Sequence, residues 1–190
     1  MKKIPTLFER PEGSKLVVPQ VREGCEWVVD GEGVATVKFD GSCCMIRDGA
    51  LFRRYIAKVA PSPEEAATIG FVPINDNGEE GHRHGWIPVG NTPNDQYHRE
   101  AWRYGGMLLP NGTYELVGPK VQGNPYNLPV HELWPHGKLH VNAPRTFDEL
   151  KIWLEGRMSE GVVWWRDPSA PDCDKCKIKR KDFGLRWPIK

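Results

Sequence analysis

The chain has 190 residues, with 26 Lys/Arg against 25 Asp/Glu and a formal net charge of +1. Whole-molecule attraction to nucleic acid is therefore not indicated. Hydrophobic residues at 39%, 20 Gly and 17 Pro argue against a helical bundle and for one sheet-rich globular core, with no run long enough to span a membrane.

Residues 1 to 24 mix turn formers with short apolar runs, of which Lys15 to Val21 reads as an edge strand. The apolar run after Met1-Lys2-Lys3 is too short for a signal peptide. Gly33 to Phe39 reads as a strand and runs into the turn Asp40-Gly41. At Gly41 the missing Cβ permits a positive φ or a close approach to a ligand. This brings Lys38 to the rim of a sheet, within reach of a bound phosphate. Ser42 to Arg47 and Ala50 to Tyr55 follow as strands, joined by the two-residue hairpin turn Asp48-Gly49. Arg53 and Arg54 alternate across that hairpin. Only one of them can share the side that Lys38 uses, and Arg54 is the favoured of the two.

Ser62-Pro63-Glu64-Glu65 forms a capping box with proline at the first helical position, and Gly70 closes the short helix. Residues 75 to 85 are a polar, glycine-bearing loop, readable as solvated surface or as a lid. Trp86 to Val89 is a short strand, Asn94 to Tyr104 a helix, and Gly112 to Gly118 a strand carrying Glu115. Val130 to Trp134 is the next strand, followed by the turn Pro135-His136-Gly137 and by Leu139 to Val141. A second capping box, Thr146-Phe147-Asp148-Glu149, opens a helix that ends at Gly156, with Leu150, Trp153 and Leu154 on its core face. Gly161 to Trp165 and Lys175 to Arg180 are the last strands. No linker interrupts this order, which predicts a single domain over residues 1–190. The class is α+β, with antiparallel sheets and flanking helices.

Charge is concentrated at the end of the chain. From Cys173 to Lys190 seven Lys/Arg face two Asp, a local net of +5 suited to a phosphate-rich ligand. Five cysteines without disulfide-framework spacing predict reduced thiols and a cytoplasmic protein. Cys173-Asp174-Lys175-Cys176 has zinc-ligand spacing, but it needs two further ligands, for which His82 and His84 are the available side chains.

The order of the remaining motifs is the most specific feature. Lys38-Phe39-Asp40-Gly41 is followed by Leu51-Phe52-Arg53-Arg54 and Glu115-Leu116-Val117-Gly118. Then come Gly123-Asn124-Pro125-Tyr126, Pro135-His136-Gly137, Glu160-Gly161-Val162-Val163-Trp164, Lys177-Ile178-Lys179 and Gly184-Leu185-Arg186-Trp187-Pro188. From about residue 25 onward this set resembles the covalent nucleotidyltransferase superfamily, and within it the small ATP-dependent 5′-to-3′ RNA ligases of vertebrate type.

The resemblance implies the fold of a ligase adenylation domain without an oligonucleotide-binding barrel. It also implies three nucleotidyl transfers that seal RNA 5′-phosphate and 3′-hydroxyl ends, with ATP as substrate and Mg²⁺ or Mn²⁺ as cofactor. Lys38 is then the nucleophile that becomes a lysyl-adenylate, its amine discharged by burial and neighbouring cations. Lys177 and Lys179 neutralise the α-phosphate. Glu160, with help from Asp40, holds the metal. Glu115 accepts from the ribose hydroxyls, and Arg53 or Arg54 contacts ribose or the 5′-phosphate. Thr36, Val37 and Gly41 border the base and the lysine. His131, Leu133 and Trp134 remain equal candidates to stack on adenine. A GTP-dependent capping-type guanylyltransferase, a non-catalytic nucleic-acid end binder and a protein-modifying adenylyltransferase are the alternatives.

Overall fold

A computed structural model describes residues 3–58, 60–74, 83–170 and 172–189. Most of the polar loop 75–85 lies outside the described residues, and with it His82 and its share of the zinc reading. In chain order the elements are α1 (Glu26–Val29), β1 (Val34–Lys38), β2 (Ser42–Arg47) and β3 (Ala50–Ala57). They continue with α2 (Pro63–Ile69), β4 (Val72–Pro73), β5 (Arg83–Pro88), α3 (Gln96–Tyr104), β6 (Gly112–Val117) and β7 (Glu132–Pro135). The last are α4 (Phe147–Glu155), β8 (Gly161–Trp165) and β9 (Lys175–Lys179). Two antiparallel sheets with a few short helices make this a mixed α+β protein, and neither sheet closes into a barrel among the described residues. No helix among those residues is long and apolar enough to cross a membrane.

Contacts divide the chain into two compact units. One holds Gly41–His136, the other Ile4–Asp40 and the stretch from Gly137 on. In the first, six strands run in the order β4-β5-β3-β2-β6-β7. One face of this sheet carries Cys44, Ile46, Leu51, Tyr114, Leu116 and Leu133, buried together with Ala101 of α3. The hairpin at Asp48-Gly49 adopts the two positive φ angles that such a short turn demands. The capping box of α2 also forms: Ser62 Oγ accepts from the Glu65 N–H, and Glu65 accepts from the Ser62 N–H.

In the second unit the sheet order is β1-β8-β9. Its central strand β8 is buried along its whole length, which its unbroken apolar run Gly-Val-Val-Trp-Trp permits. One sheet face packs Val162, Trp164 and Ile178 against Leu150 and Leu154 of α4, with Leu7, Phe8, Trp27 and Phe183.

Several expectations shift. Lys15 to Val21 forms no strand, its nearest pairing being the isolated bridge Phe8–Val21. Residues 5–7 lie beside β9 instead, Lys177 N–H donating to Pro5 O and Leu7 N–H to Lys177 O. The stretch 139–141 contributes only the bridge Thr36–His140, flanked by hydrogen bonds from Val37 and Val141. Thr146 makes no backbone cap; its hydroxyl donates to Glu149 Oε2. The reduced-thiol expectation fails for Cys25 and Cys176, which are joined as a disulfide. That pairing also removes Cys176 as a partner of Cys173 in a zinc site.

Candidate active site

In the three-stranded sheet, pairing decides which side chains meet. Lys38 of β1 lies opposite Gly161 of β8, and Gly161 lies opposite Lys179 of β9. Two residues along, Thr36, Val163 and Lys177 form the next such row. Directly paired residues share a face, and so do residues two apart. Lys38, Lys177 and Lys179 therefore project from the face opposite the core. Gly161 is required at the centre of this row: a Cβ there would stand 2.1 Å from the Ile178 carbonyl oxygen.

Glu160, one residue before β8, is nearly fully buried and its carboxylate is ion-paired with the Lys38 amine. Lys38 Nζ also donates to the Phe39 carbonyl at 3.2 Å. Burial pushes the Glu160 carboxyl above its usual range and Asp40 adds to this, while Lys38 and Lys179 oppose it. Lys177 is pushed down to about 8, first by burial and then by the charges of Lys38 and Lys179. At about 8 it stays mostly protonated at neutral pH, with a minor neutral fraction that burial chiefly sets. Asp40 Oδ2 accepts from the Trp187 indole at 2.8 Å, which ties the C-terminal Gly-Leu-Arg-Trp-Pro motif to the turn after Lys38.

Thr36 is fully enclosed. Its hydroxyl donates to Val163 O and accepts from the Trp165 indole, so it is engaged within the sheet. Alternation turns the Val37 side chain to the core side, away from Lys38. The basic tail is less of a solvated run than its composition suggests. Arg180 is buried and donates to the carbonyls of Leu154, Arg157 and Arg186, while Asp182 binds the Lys179 N–H and the Arg10 guanidinium.

The six-stranded sheet holds the other predicted residues. Cys43 pairs with Glu115, and Glu115 with Trp134, so these three side chains form a row on the face away from α3. Arg54 has the parity of that row and lies with its guanidinium 5.5 Å from the Trp86 ring centre. Arg53 turns to the α3 side, where it is ion-paired at 2.6 Å with the buried Asp95. Asp95 accepts further bonds from Thr92 and the Gly90 N–H. Of the two arginines, Arg54 is the one that shares a face with Glu115.

Glu115 Oε1 accepts from the Gly41 N–H at 3.0 Å, and Oε2 lies 2.7 Å from His136 Nε2. At Gly41 the glycine serves a close approach, but to protein: a Cβ would meet the Leu116 carbonyl at 2.1 Å. His131 and Leu133 are both buried on the α3 side, His131 stacked on Tyr97 at 4.6 Å. Trp134 is only half-buried, rests against Tyr126 and donates its indole N–H to Glu132. Parity in the sheet thus separates Trp134 from the other two stacking candidates. His136, Cys43, Asp95 and Trp187 received no role from the sequence. For His136 and Trp187 the signal was already present in the quoted motifs.

The chain matches the family model "RNA ligase 1" over residues 107–190. It is 37% identical to RNA ligase 1 of Danio rerio over 153 residues, 62% of this chain and 45% of that protein. The Pongo abelii protein of the same name is 33% identical over 170 residues, 68% of this chain and 50% of the relative. These matches support an RNA ligase family. The RNA ligase 1 of Rattus norvegicus, 31% identical over 151 residues, covers similar ground at 62% and 45%. The chain spans about half the length of the curated relatives it matches. The family model takes in Glu115, His136, Glu160, Lys177 and Lys179, whereas Lys38 and Arg54 lie before its first matched residue.

Proposed function

We propose that this chain is the adenylation part of an ATP-dependent RNA ligase, with a covalent nucleotidyltransferase fold, and that Lys38 is its nucleophile. The observation that carries the reading is the row Lys38–Gly161–Lys179 with Glu160 ion-paired to Lys38 and Lys177 on the same face. A triphosphate carries the negative charge that three clustered amines lack. In the first step Lys38 Nζ bonds to the α-phosphorus of ATP, the bond to the bridging oxygen breaks, pyrophosphate leaves and the amine loses its proton. Lys177 and Lys179 meet the charge that develops on the α-phosphate oxygens. AMP then passes to an RNA 5′-phosphate, and a 3′-hydroxyl displaces it.

The donor set near Lys38 suits a hard divalent ion: Glu160 and Asp40 offer carboxylate oxygens, the ligands Mg²⁺ or Mn²⁺ prefers. When bound, such an ion supplies further neutralisation of the triphosphate. Lys38 has to part from Glu160 to reach phosphorus, so its ion pair is a resting arrangement. By resemblance, Glu115 and Arg54 serve the sugar and phosphate of the nucleotide; Trp134, which shares the face of Glu115 while His131 and Leu133 are buried on the other, serves as the adenine platform. Trp134→Ala should then raise the ATP concentration for half-maximal adduct formation by roughly tenfold or more, given about 1–3 kcal/mol per stacked base. His131→Ala should leave that dependence unchanged in whatever fraction folds. Equal effects from both variants would remove Trp134 from the site.

The deciding experiment incubates the protein with Mg²⁺ and ATP or GTP labelled at the α-phosphate, and looks for an acid-labile, alkali-stable protein adduct. Label from ATP, followed by joining of a 5′-phosphorylated RNA, is the expected result. Label from GTP would favour a capping-type guanylyltransferase. Label from ATP without RNA joining would favour a protein-modifying adenylyltransferase. No label on folded protein would remove catalysis and leave an end-binding role.

A further inference from the structure

The row Cys43–Glu115 and the turn residue His136 bring a thiol, a carboxylate and an imidazole together in the first unit. One ligand atom from each lies within 4.8 Å of the other two, and all three residues are half-buried. We propose that Cys43, Glu115 and His136 form a binding site for a zinc-class divalent cation. This set differs in kind from Glu160 and Asp40, since a thiolate and an imidazole select a borderline-soft ion where two carboxylates select a hard one.

The placement follows from the fold. Cys43 and Glu115 are direct partners across β2 and β6, which fixes their separation, and His136 follows β7 on the other side of β6. Bonds of about 2.0–2.3 Å require donors roughly 3.3–3.8 Å apart. The Glu115–His136 pair, now at 2.7 Å, therefore needs to open only slightly. Glu115 is already braced by the Gly41 N–H on its other oxygen, the outer support that metal-bound carboxylates require. His136 Nδ1 is buried with no hydrogen-bond partner among the described residues, an unmet polar group on the same ring. The neighbouring Cys44 is a poor rival, because it faces the core and is fully buried.

Three protein donors leave a fourth position open, as in zinc sites that keep a water or an exogenous ligand. Binding converts the Cys43 thiol to a metal-bound thiolate and releases its proton to solvent. A cation held there also takes the Glu115 carboxylate, so in the nucleotide reading zinc-class ions would compete with ribose. The metal proposal itself does not depend on that reading.

Co²⁺ is the probe, added without nucleotide to desalted protein in which the Cys25–Cys176 disulfide is intact. The expected result is one equivalent bound, with a thiolate-to-cobalt charge-transfer band in the near ultraviolet and intense visible bands of tetrahedral type, both displaced by Zn²⁺. Cys43→Ser should abolish the charge-transfer band, and His136→Asn should weaken binding at least about tenfold. Cys173→Ser should leave the spectrum unchanged. The absence of a charge-transfer band in folded wild-type protein, or a band that survives Cys43→Ser, would overturn the proposal. Neither result bears on adenylylation, which the ATP-labelling assay reads separately.

Discussion

Lys38→Ala protein should carry no adduct from labelled ATP and should also be less stable than the parent, by about 2–4 kcal/mol at pH 7–8. The first effect follows because alanine offers no nucleophile. The second follows because Lys38 and Glu160 are a desolvated pair, with side chains only 22% and 9% exposed. Removing one partner of such a pair leaves a buried charge uncompensated, at a cost of roughly 3–5 kcal/mol when the group stays ionised.

Glu160 limits that cost by taking a proton, since burial already raises its carboxyl in the presence of Lys38. Without Lys38 its folded value rises further. A folded carboxyl above its unfolded value binds more protons in the native state, so stability falls as pH rises through the gap. The deficit of Lys38→Ala should therefore be smallest near the ordinary carboxyl range of about pH 4 and should grow as pH rises, as urea titrations at several pH values would read. The double variant Lys38→Met, Glu160→Gln should recover most of the stability and none of the adduct. An adduct that persists in Lys38→Ala would move the nucleophile elsewhere. Lys177 would then be the first suspect, because its pKa is pushed down to about 8 and its neutral amine is accessible near physiological pH.

Lys177→Met should separate stability from chemistry in the opposite direction. The lysine stands at about 8 in the folded chain, against about 10.4 when unfolded. Below pH 8 both states are protonated, and the fold carries the whole unfavourable charge, equivalent to about 3 kcal/mol. Between pH 8 and about 10.4 the unfolded chain binds the extra proton, so wild-type stability gains with rising pH through that window. Methionine keeps much of the volume without the charge. Lys177→Met should then be more stable than the parent by about 2–3 kcal/mol at pH 7, with the difference fading towards pH 10. Adduct formation should nevertheless fall by roughly 10²–10³-fold, the usual loss on removing one charge-stabilising group from a transition state. A stabilised variant with undiminished labelling would show that Lys177 meets no developing charge.

Chain order alone was enough to nominate the candidate positions. A lysine before Asp-Gly, Glu160 at the head of an apolar strand and Lys177-x-Lys179 are local patterns, readable because strand periodicity and turn residues leave traces over a few letters. The hairpin at Asp48-Gly49 and the helix after Ser62 were legible for the same reason. Parity within a strand showed that Arg53 and Arg54 point opposite ways, but not which way either points. That was decided by Asp95, 42 residues away in sequence, which claims Arg53. Likewise three side chains near residue 133 were equal candidates to hold a base until α3 covered His131 and Leu133 and left Trp134 on the other face. The convergence of Cys43, Glu115 and His136, and the Cys25–Cys176 pairing, were invisible for the same physical reason. Register between strands distant in sequence is fixed by which faces can be buried, and no local pattern carries that information.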